Sequence, residues 1–228
     1  MKQFLISRAI AVCFCLIGCV AIHAQKKTIV VQPETAKIFV NGSEVGTGTY
    51  TLKFNRNTDF YMLRFEAPGY LVRSVKLFKD NPNKTISYTL QVDEAEKNSV
   101  GGDTEAGEIA NKWFDVTCRD GMTEDIIWKR LMNIAINNFD DVEVRDKDAG
   151  WIRTQWVSTP FPERTVRTRL EIRLSFSGDG KISYRVRLES EIKDADCRRS
   201  NCFVKYDRVL KKYVDVIQQL TTTVGSNL

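Results

Sequence analysis

The fold is decided by residues 166–192, which read VRTRLEIRLSFSGDGKISYRVRLESEI. Nearly every second residue on each side of the central turn suits a hydrophobic core, and the residues between them are mostly charged. Successive side chains of a β-strand point to opposite faces, so this alternation predicts two long strands with one face buried. The turn Gly178-Asp179-Gly180 joins them. The segment is therefore predicted to form a long antiparallel hairpin.

The hairpin belongs to a C-terminal domain, residues 109–228, that mixes the periods of strands and helices. Thr123 followed by Glu124 and Asp125 is typical of a helix N-terminus, and apolar residues at helical spacing continue to about Asn138. A second amphipathic helix is predicted over 206–220. Further strands are predicted at 111–118, 142–145 and 151–157. The order β-α-β-β-β-β-α predicts an α+β domain, an antiparallel sheet with two helices on one face.

The C-terminal domain also resembles envelope lipoprotein domains of the BamC type. The run Phe139-Asp140-Asp141-Val142-Glu143-Val144 is followed by Asp146 and then by Gly150-Trp151-Ile152. In that type of domain, too, a helix precedes a strand pair joined by an acidic turn. The resemblance concerns architecture and assigns no site.

Residues 28–92 alternate with a period of two throughout. Tyr50, Leu52 and Phe54 share one face of a predicted strand, and two later segments alternate in the same way. Asn41-Gly42 predicts a tight hairpin turn, because both residues tolerate positive φ. The sequence contains no helical period here, so we expect an all-β, antiparallel N-terminal sandwich.

The turns of this segment carry a family resemblance. Pro33-Glu34-Thr35-Ala36, the strand ending at Asn41-Gly42, Val45-Gly46-Thr47-Gly48 and Phe65-Glu66-Ala67-Pro68-Gly69-Tyr70 are similar to a PEGA domain. The sequence departs from the family at Thr35, where the family has glycine, and at Thr49-Tyr50, where a proline often follows. The resemblance implies a small β-sandwich of the kind found on bacterial surface and envelope proteins. It names no site residue.

A change of composition separates the two domains. Residues 93–108 hold six acids, one lysine, three glycines and one large apolar residue, Val100. Such a segment has little apolar surface to bury, and we therefore expect an acidic flexible linker.

The N-terminus predicts export. Lys2 and Arg8 precede the uncharged stretch 9–22, and residues 1–24 are typical of a secretory signal peptide that is cleaved after Ala24. Leu16-Ile17-Gly18-Cys19 resembles a bacterial lipobox, which makes Cys19 a candidate lipidation site, although Val20-Ala21-Ile22 continues the apolar run beyond it. Soluble release and a lipid anchor both stay open. The expected location is the periplasm or the outer membrane.

The mature chain has little net charge and no histidine. The formal charge of +5 falls to +3 when residues 1–24 are removed. Such a value gives weak attraction to nucleic acid, so we expect no nucleic-acid partner and membrane contact only through a lipid anchor. Loss of His23 excludes Ser-His and Cys-His nucleophile pairs and the usual zinc sites. We expect neither a metal site nor a cofactor.

Three cysteines remain after export. Cys197 and Cys202 enclose four residues, a spacing that suits a disulfide in an oxidising compartment and is also compatible with two free thiols. Cys118 is expected in the core.

The charged face of the long hairpin is a candidate binding surface. Arg167 and Arg169 on one strand and Arg185 and Arg187 on the next would share it with glutamates. The mixed signs favour a solvated face whose charges pair across the strands over a binding surface. Trp151 and Phe161 are the aromatic candidates for an exposed pair nearby, although core packing or cover by a helix is the more common role for a tryptophan such as Trp151. Trp156 is expected in the core with Ile152 and Thr154.

These patterns predict a non-enzymatic exported bacterial envelope protein, in which a PEGA-like module is tethered to an α+β interaction domain. An envelope protein or a cell-wall or surface glycan is the expected partner. The alternative is a carboxylate-based glycan hydrolase, because such enzymes need only two acids at a defined separation. Its candidate pairs are Asp140-Asp141, Glu189 with Glu191, and Asp194 with Asp196.

Overall fold

The computed structural model describes residues 25–101, 109–177 and 180–226, and these residues form two compact units. Unit 1 contains 25–67 and 72–90, and unit 2 contains 68–71 together with the described residues from 91 onward. The predicted signal peptide and Cys19 lie outside the described residues. No helix in the described ranges is long and apolar enough to cross a membrane.

Unit 1 consists of two sheets. A three-stranded sheet has the order β4-β1-β7, and a four-stranded sheet has the order β3-β2-β5-β6. The strands are β1 (Lys26–Gln32), β2 (Lys37–Val40), β3 (Ser43–Thr47), β4 (Thr49–Lys53), β5 (Phe60–Glu66), β6 (Arg73–Phe78) and β7 (Thr85–Thr89). The sequence predicts an antiparallel sandwich. This prediction is wrong for one pair of strands, because β1 runs parallel to β7.

The core of unit 1 follows the predicted alternation. Leu52 of β4 and Leu63 and Phe65 of β5 are buried, and the Phe65 ring lies 4.8 Å from the ring of Tyr88 in the other sheet. Asn41 and Gly42 both have positive φ, 49° and 89°, in the turn between β2 and β3. The predicted hairpin is therefore confirmed, and the contact between rings of the two sheets closes the sandwich.

Unit 2 is built around a seven-stranded antiparallel sheet of order β10-β11-β13-β14-β15, in which β12 also pairs with β13 and β9 with β14. Its strands are β9 (Trp113–Thr117), β10 (Val142–Asp146), β11 (Trp151–Thr154), β12 (Val157–Pro160), β13 (Arg164–Phe176), β14 (Ile182–Asp194) and β15 (Val204–Lys205). A separate two-stranded sheet joins β8 (Ser99–Gly101) to β16 (Arg208–Leu210). The helices are α1 (Glu94–Lys97), α2 (Glu124–Phe139) and α3 (Val216–Val224), and single 3-10 turns occur at Ser200–Cys202 and Lys211–Tyr213.

The helices α2 and α3 cover one face of the large sheet. Val166, Leu170 and Ile172 of β13 are fully buried in one cluster with Leu131 of α2 and Leu220 of α3. Thr123 caps α2 as predicted, because its side chain accepts a hydrogen bond from the Ile126 backbone N–H. The opposite face of the sheet carries the charged residues of the hairpin.

The predicted fold class is corrected. The chain is mostly β, with 50% of the described residues in strands and 18% in helices, and the described ranges contain four sheets and three α-helices. The predicted final helix over 206–220 begins only at Val216, because Arg208–Leu210 pairs with Ser99–Gly101 as a strand. Interstrand pairing thus overrides a spacing that also suits a helix.

The flexible linker predicted over 93–108 is corrected in its first part. Residues 94–97 form α1 and 99–101 form β8, whereas 102–108 lie outside the described residues. The Asp93 carboxylate accepts hydrogen bonds from the backbone N–H groups of Ala95 and Glu96 and forms an ion pair with Arg164 at 2.7 Å. An acid that composition assigns to a solvated linker is therefore buried and paired within unit 2.

Replacing Asp93 with alanine is expected to destabilise unit 2 by about 2–3 kcal/mol. The substitution removes the cap of α1 and leaves the guanidinium of Arg164 without its close carboxylate. Asp194→Ala is the matched control, because Asp194 lies 4.0 Å from the same arginine and is 78% exposed, so its loss should cost less than about 0.5 kcal/mol. Urea unfolding measures both. Equal losses would mean that Asp93 acts as an ordinary surface acid.

Candidate functional site

The face of the large sheet that points away from α2 and α3 carries six arginines and three tryptophans. We call it the arginine–tryptophan face. β13 and β14 supply its centre through the odd-numbered residues of the hairpin, and β9 and β11 supply its sides, because Trp113 pairs with Arg187 and Trp151 pairs with Arg173. Its members are Trp113, Trp151, Arg153, Trp156, Arg167, Arg169, Arg173, Arg185 and Arg187.

Each tryptophan of this face lies against guanidinium groups. The Arg167 and Arg169 guanidiniums both lie 4.4 Å from the ring centroid of Trp156. Arg187 lies at the same distance from Trp113, and the Arg153 guanidinium is 5.1 Å from the ring of Trp151. Such contacts contribute about 0.5–1 kcal/mol each at exposed sites. They give the long side chains of the face defined positions.

Carboxylates connect the arginines into a network. Arg167 pairs with Glu191 at 2.5 Å, and Arg169 pairs with Glu189. Glu171 is buried and accepts from both Arg173 and Arg187, each at 2.6 Å. These pairs neutralise most of the positive charge that the arginines would otherwise present.

Glu171 has the most constrained carboxylate of the face. Burial raises the pKa of Glu171, but the hydrogen bonds from Arg187 and Arg173 outweigh burial, so that its pKa lies below the ordinary value. The carboxylate is therefore ionised at neutral pH. It acts as a fixed negative centre between two strands.

Two donors of this face are buried without a partner among the described residues, the indole N–H of Trp151 and the Nε–H of Arg187. A buried donor that makes no hydrogen bond costs about 1–3 kcal/mol. The face thus contains donor groups that its own carboxylates leave unsatisfied.

The structure brings most of the predicted surface residues together. Trp151 and the four arginines at 167, 169, 185 and 187 share the face. Phe161 does not, because it follows β12 and packs against the core cluster. Trp156 is predicted to lie in the core, and this prediction is wrong. Its ring lies against Arg167 and Arg169 on the outer face of the sheet.

Trp113 is the tryptophan of this face that the sequence patterns did not indicate. It forms contacts with Arg173, Arg185 and Arg187. Its strand, β9, pairs with β14, and Trp113 lies opposite Arg187, which follows it by about 70 residues in the sequence. A signal was present in the alternation of Trp113 and Asp115 with buried Val116, but only the pairing partner reveals what the tryptophan contacts.

The remaining candidate residues lie elsewhere in unit 2. Cys197 and Cys202 are joined in a disulfide, and Cys118 is buried with its pKa raised by burial to about 11. Asp140 ends α2, and the neighbouring Asp141 accepts from the Val142 backbone N–H. Asp194 is exposed, as is Asp196. Within the described ranges no group of three histidine, cysteine or acidic residues could hold a metal ion.

Comparison with known proteins identifies a likeness to a solved structure. No family model matches the chain, and no curated protein matches it. A crystal structure from Bacteroides fragilis NCTC 9343, described as that of a membrane-associated protein of unknown function, is 11% identical with a TM-score of 0.26. The match covers 73% of this chain and 96% of that one. A TM-score of this size carries no argument about the fold or the function of the present chain.

Proposed function

We propose that this chain is a non-catalytic exported protein of the bacterial envelope that binds a protein partner through the arginine–tryptophan face of unit 2. In this proposal unit 1 is a PEGA-like module, and the location is periplasmic or at the outer membrane. The observation that carries the proposal is the gathering of three tryptophans and six arginines on the sheet face opposite the helices.

The composition of the face favours a protein as the ligand. Tryptophan and arginine are the residues most enriched among those that dominate binding energy at protein interfaces. Their side chains are already held by stacking and ion pairs, so little conformational entropy would be lost when a partner binds. Preorganised, half-exposed side chains of this kind suit a flat protein surface.

The charge balance argues against a long anionic polymer as the ligand. Arg167, Arg169 and Arg187 each form an ion pair with a glutamate of β13 or β14. A polyanion would have to displace these carboxylates to reach the guanidiniums. Sugar stacking is disfavoured as well, because guanidinium groups already occupy positions over the rings of Trp113 and Trp156.

Glycan hydrolysis is the competing function, and the geometry of Glu189 and Glu191 argues against it. Glu191 forms an ion pair with Arg167 and Glu189 forms one with Arg169, so neither carboxylate is free to contact a glycosidic oxygen or a water at the scissile bond. The purified protein is therefore expected not to hydrolyse peptidoglycan or common polysaccharides. Turnover that is lost in Glu189→Gln would overturn the proposal of a binding protein in favour of a hydrolase.

Site-specific cross-linking in cells tests the proposal. A photo-reactive amino acid at Trp113 or Arg185 should capture one protein partner, because both positions lie on the arginine–tryptophan face. The same group at Lys129, which is exposed on α2, is the control and should not capture that partner. The assignment would be contradicted if neither position on the face captures a protein. It would also be contradicted if a partner is captured at Lys129 but not at Trp113 or Arg185.

A further inference from the structure

The four-stranded sheet of unit 1 exposes apolar side chains at one end of its outer face. Phe60 and Met62 of β5 and Phe78 of β6 are 40%, 45% and 47% exposed. Phe60 and Phe78 are cross-strand partners, and their ring centroids are 5.9 Å apart. These three residues form what we call the aromatic patch. Contiguous exposed apolar side chains of this kind mark interaction surfaces more often than scattered ones do.

A lysine lies over the aromatic patch. Lys76 Nζ is 3.7 Å from the ring centroid of Phe60 and 5.1 Å from that of Phe78. Among the described residues its ammonium has no carboxylate partner. A long basic side chain that covers an apolar surface and keeps its charge in water is the arrangement found at membrane interfaces.

The strand topology gathers further cations at the same end of unit 1. Lys26 begins β1 and pairs with Lys53, which ends β4, and Lys84 directly precedes β7, the parallel neighbour of β1. Phe60 begins β5 and Phe78 ends β6, so the two loops next to the patch lie at this end as well. The solvent-accessible cations of the strand ends and loops here are Lys26, Lys53, Arg56, Lys79 and Lys84, against two acids, Asp59 and Asp80.

The charge of the chain is divided unevenly between its two parts. Residues 25–90 contain ten lysines and arginines against five acids, whereas residues 91–228 contain 22 against 24. The positive charge of the mature chain therefore belongs to the first part. Its basic end would be attracted to an anionic surface although the whole chain is only weakly basic. This uneven distribution departs from the expectation, which rested on net charge, that the chain contacts a membrane only through a lipid anchor.

We infer that this end of unit 1 binds the surface of an anionic lipid bilayer. The aromatic patch enters the interface between headgroups and acyl chains, and the surrounding lysines and arginine contact lipid phosphates. Gln25, the first described residue, lies at the same end, because its carbonyl accepts a hydrogen bond from the Phe54 backbone N–H. Six residues span at most about 20 Å, so a lipid on Cys19 would hold this end close to the membrane.

Vesicle flotation tests the inference on protein that carries Cys19→Ala, which excludes a lipid anchor. We expect binding to vesicles of phosphatidylglycerol mixed with phosphatidylcholine, weaker binding in high salt, and none to phosphatidylcholine alone. The triple variant F60S/M62S/F78S should bind about tenfold more weakly or worse. Phe176→Ser is the matched control, because Phe176 is 67% exposed in unit 2 and its replacement should leave binding unchanged.

A charge variant separates lipid phosphates from apolar contact. K26Q/K53Q/K84Q should weaken binding at low salt and flatten its salt dependence, while circular dichroism verifies that both triple variants stay folded. Failure of the unchanged protein to bind anionic vesicles overturns the inference, and so does a patch variant that binds as well as the parent. If the protein dimerises without lipid and F60S/M62S/F78S abolishes the dimer, the patch binds a second copy of the chain instead. If the protein binds polyglutamate and the same variant abolishes that binding, the patch binds an acidic protein instead.

Discussion

Replacing Glu171 with glutamine is expected to lower the free energy of unfolding of unit 2 by about 2–3 kcal/mol. The carboxylate has a side-chain exposure of 2% and accepts hydrogen bonds from Arg173 and Arg187. Glutamine keeps the shape but removes the negative charge, so two guanidiniums lose their common partner. Their partial exposure to water limits the loss. Urea unfolding followed by tryptophan fluorescence reports unit 2 selectively, because all four tryptophans follow residue 91.

The pH dependence of this variant has a defined sign. Because the pKa of Glu171 is lowered in the folded state, its contribution is present above the ordinary pKa of a glutamate and is lost as the pH falls through the folded value. The difference between the parent and Glu171→Gln should therefore be largest at neutral pH and shrink below about pH 4. Glu191→Gln, which removes a partly exposed partner of Arg167, should cost less than about 1 kcal/mol. Equal costs for the two variants would contradict a special role for Glu171.

Replacing Gly150 with alanine is expected to cost about 3 kcal/mol and to disturb the arginine–tryptophan face. Gly150 has a φ of +60°, and a Cβ at this position would overlap Leu174 Cβ. The strained backbone accounts for about 1 kcal/mol and the overlap for the rest. Gly150 directly precedes Trp151, so relief of the overlap would move the indole. Thermal unfolding and the near-ultraviolet circular dichroism of the tryptophans measure the two effects.

Gly121→Ala is the matched control for the backbone contribution. Gly121 has a φ of +82°, but a Cβ there would have no heavy atom within 4 Å. Its substitution should cost about 1 kcal/mol and leave the tryptophan signal unchanged. If Gly150→Ala is no more costly than Gly121→Ala, the approach of Leu174 does not restrict the hairpin.

The sequence predicts elements well where local pattern and burial agree. Apolar and charged residues alternate along most of β13 and β14 because one face of the hairpin is buried against α2 and α3. The N-cap Thr123 is recognisable because the acidic residues of the first helical turn follow it directly. The prediction failed where a distant segment decides the outcome. Residues 208–210 have apolar spacing that suits a helix, yet they pair with β8 more than 100 residues earlier.

Within the candidate site, the position of Trp156 depends on a strand break that alternation does not reveal. Thr154 ends β11 on the core side, where its hydroxyl accepts a hydrogen bond from the Leu170 backbone N–H. The Gln155 backbone N–H then donates to Asp141, and β12 starts a new register in which Ser158 lies opposite Arg167. Trp156 is thereby moved from the expected core to the outer face. The alternation of the hairpin was enough to predict that its arginines share one face. The contacts between these arginines and the tryptophans could not be predicted, because they depend on how β9, β11 and β12 pair with the hairpin.

The affinity of the cross-linked partner for Trp113→Ala tests the central claim most directly. Trp113 contacts three arginines of the face, and an interface tryptophan of this kind is expected to cost about 30-fold or more in affinity when truncated. Ile126→Ala is the control, because Ile126 is an apolar residue on α2, away from the face, and is 44% exposed. A large loss for Trp113→Ala with an unchanged affinity for Ile126→Ala is the predicted result. An unchanged affinity for Trp113→Ala, measured on folded protein, would contradict binding through the arginine–tryptophan face.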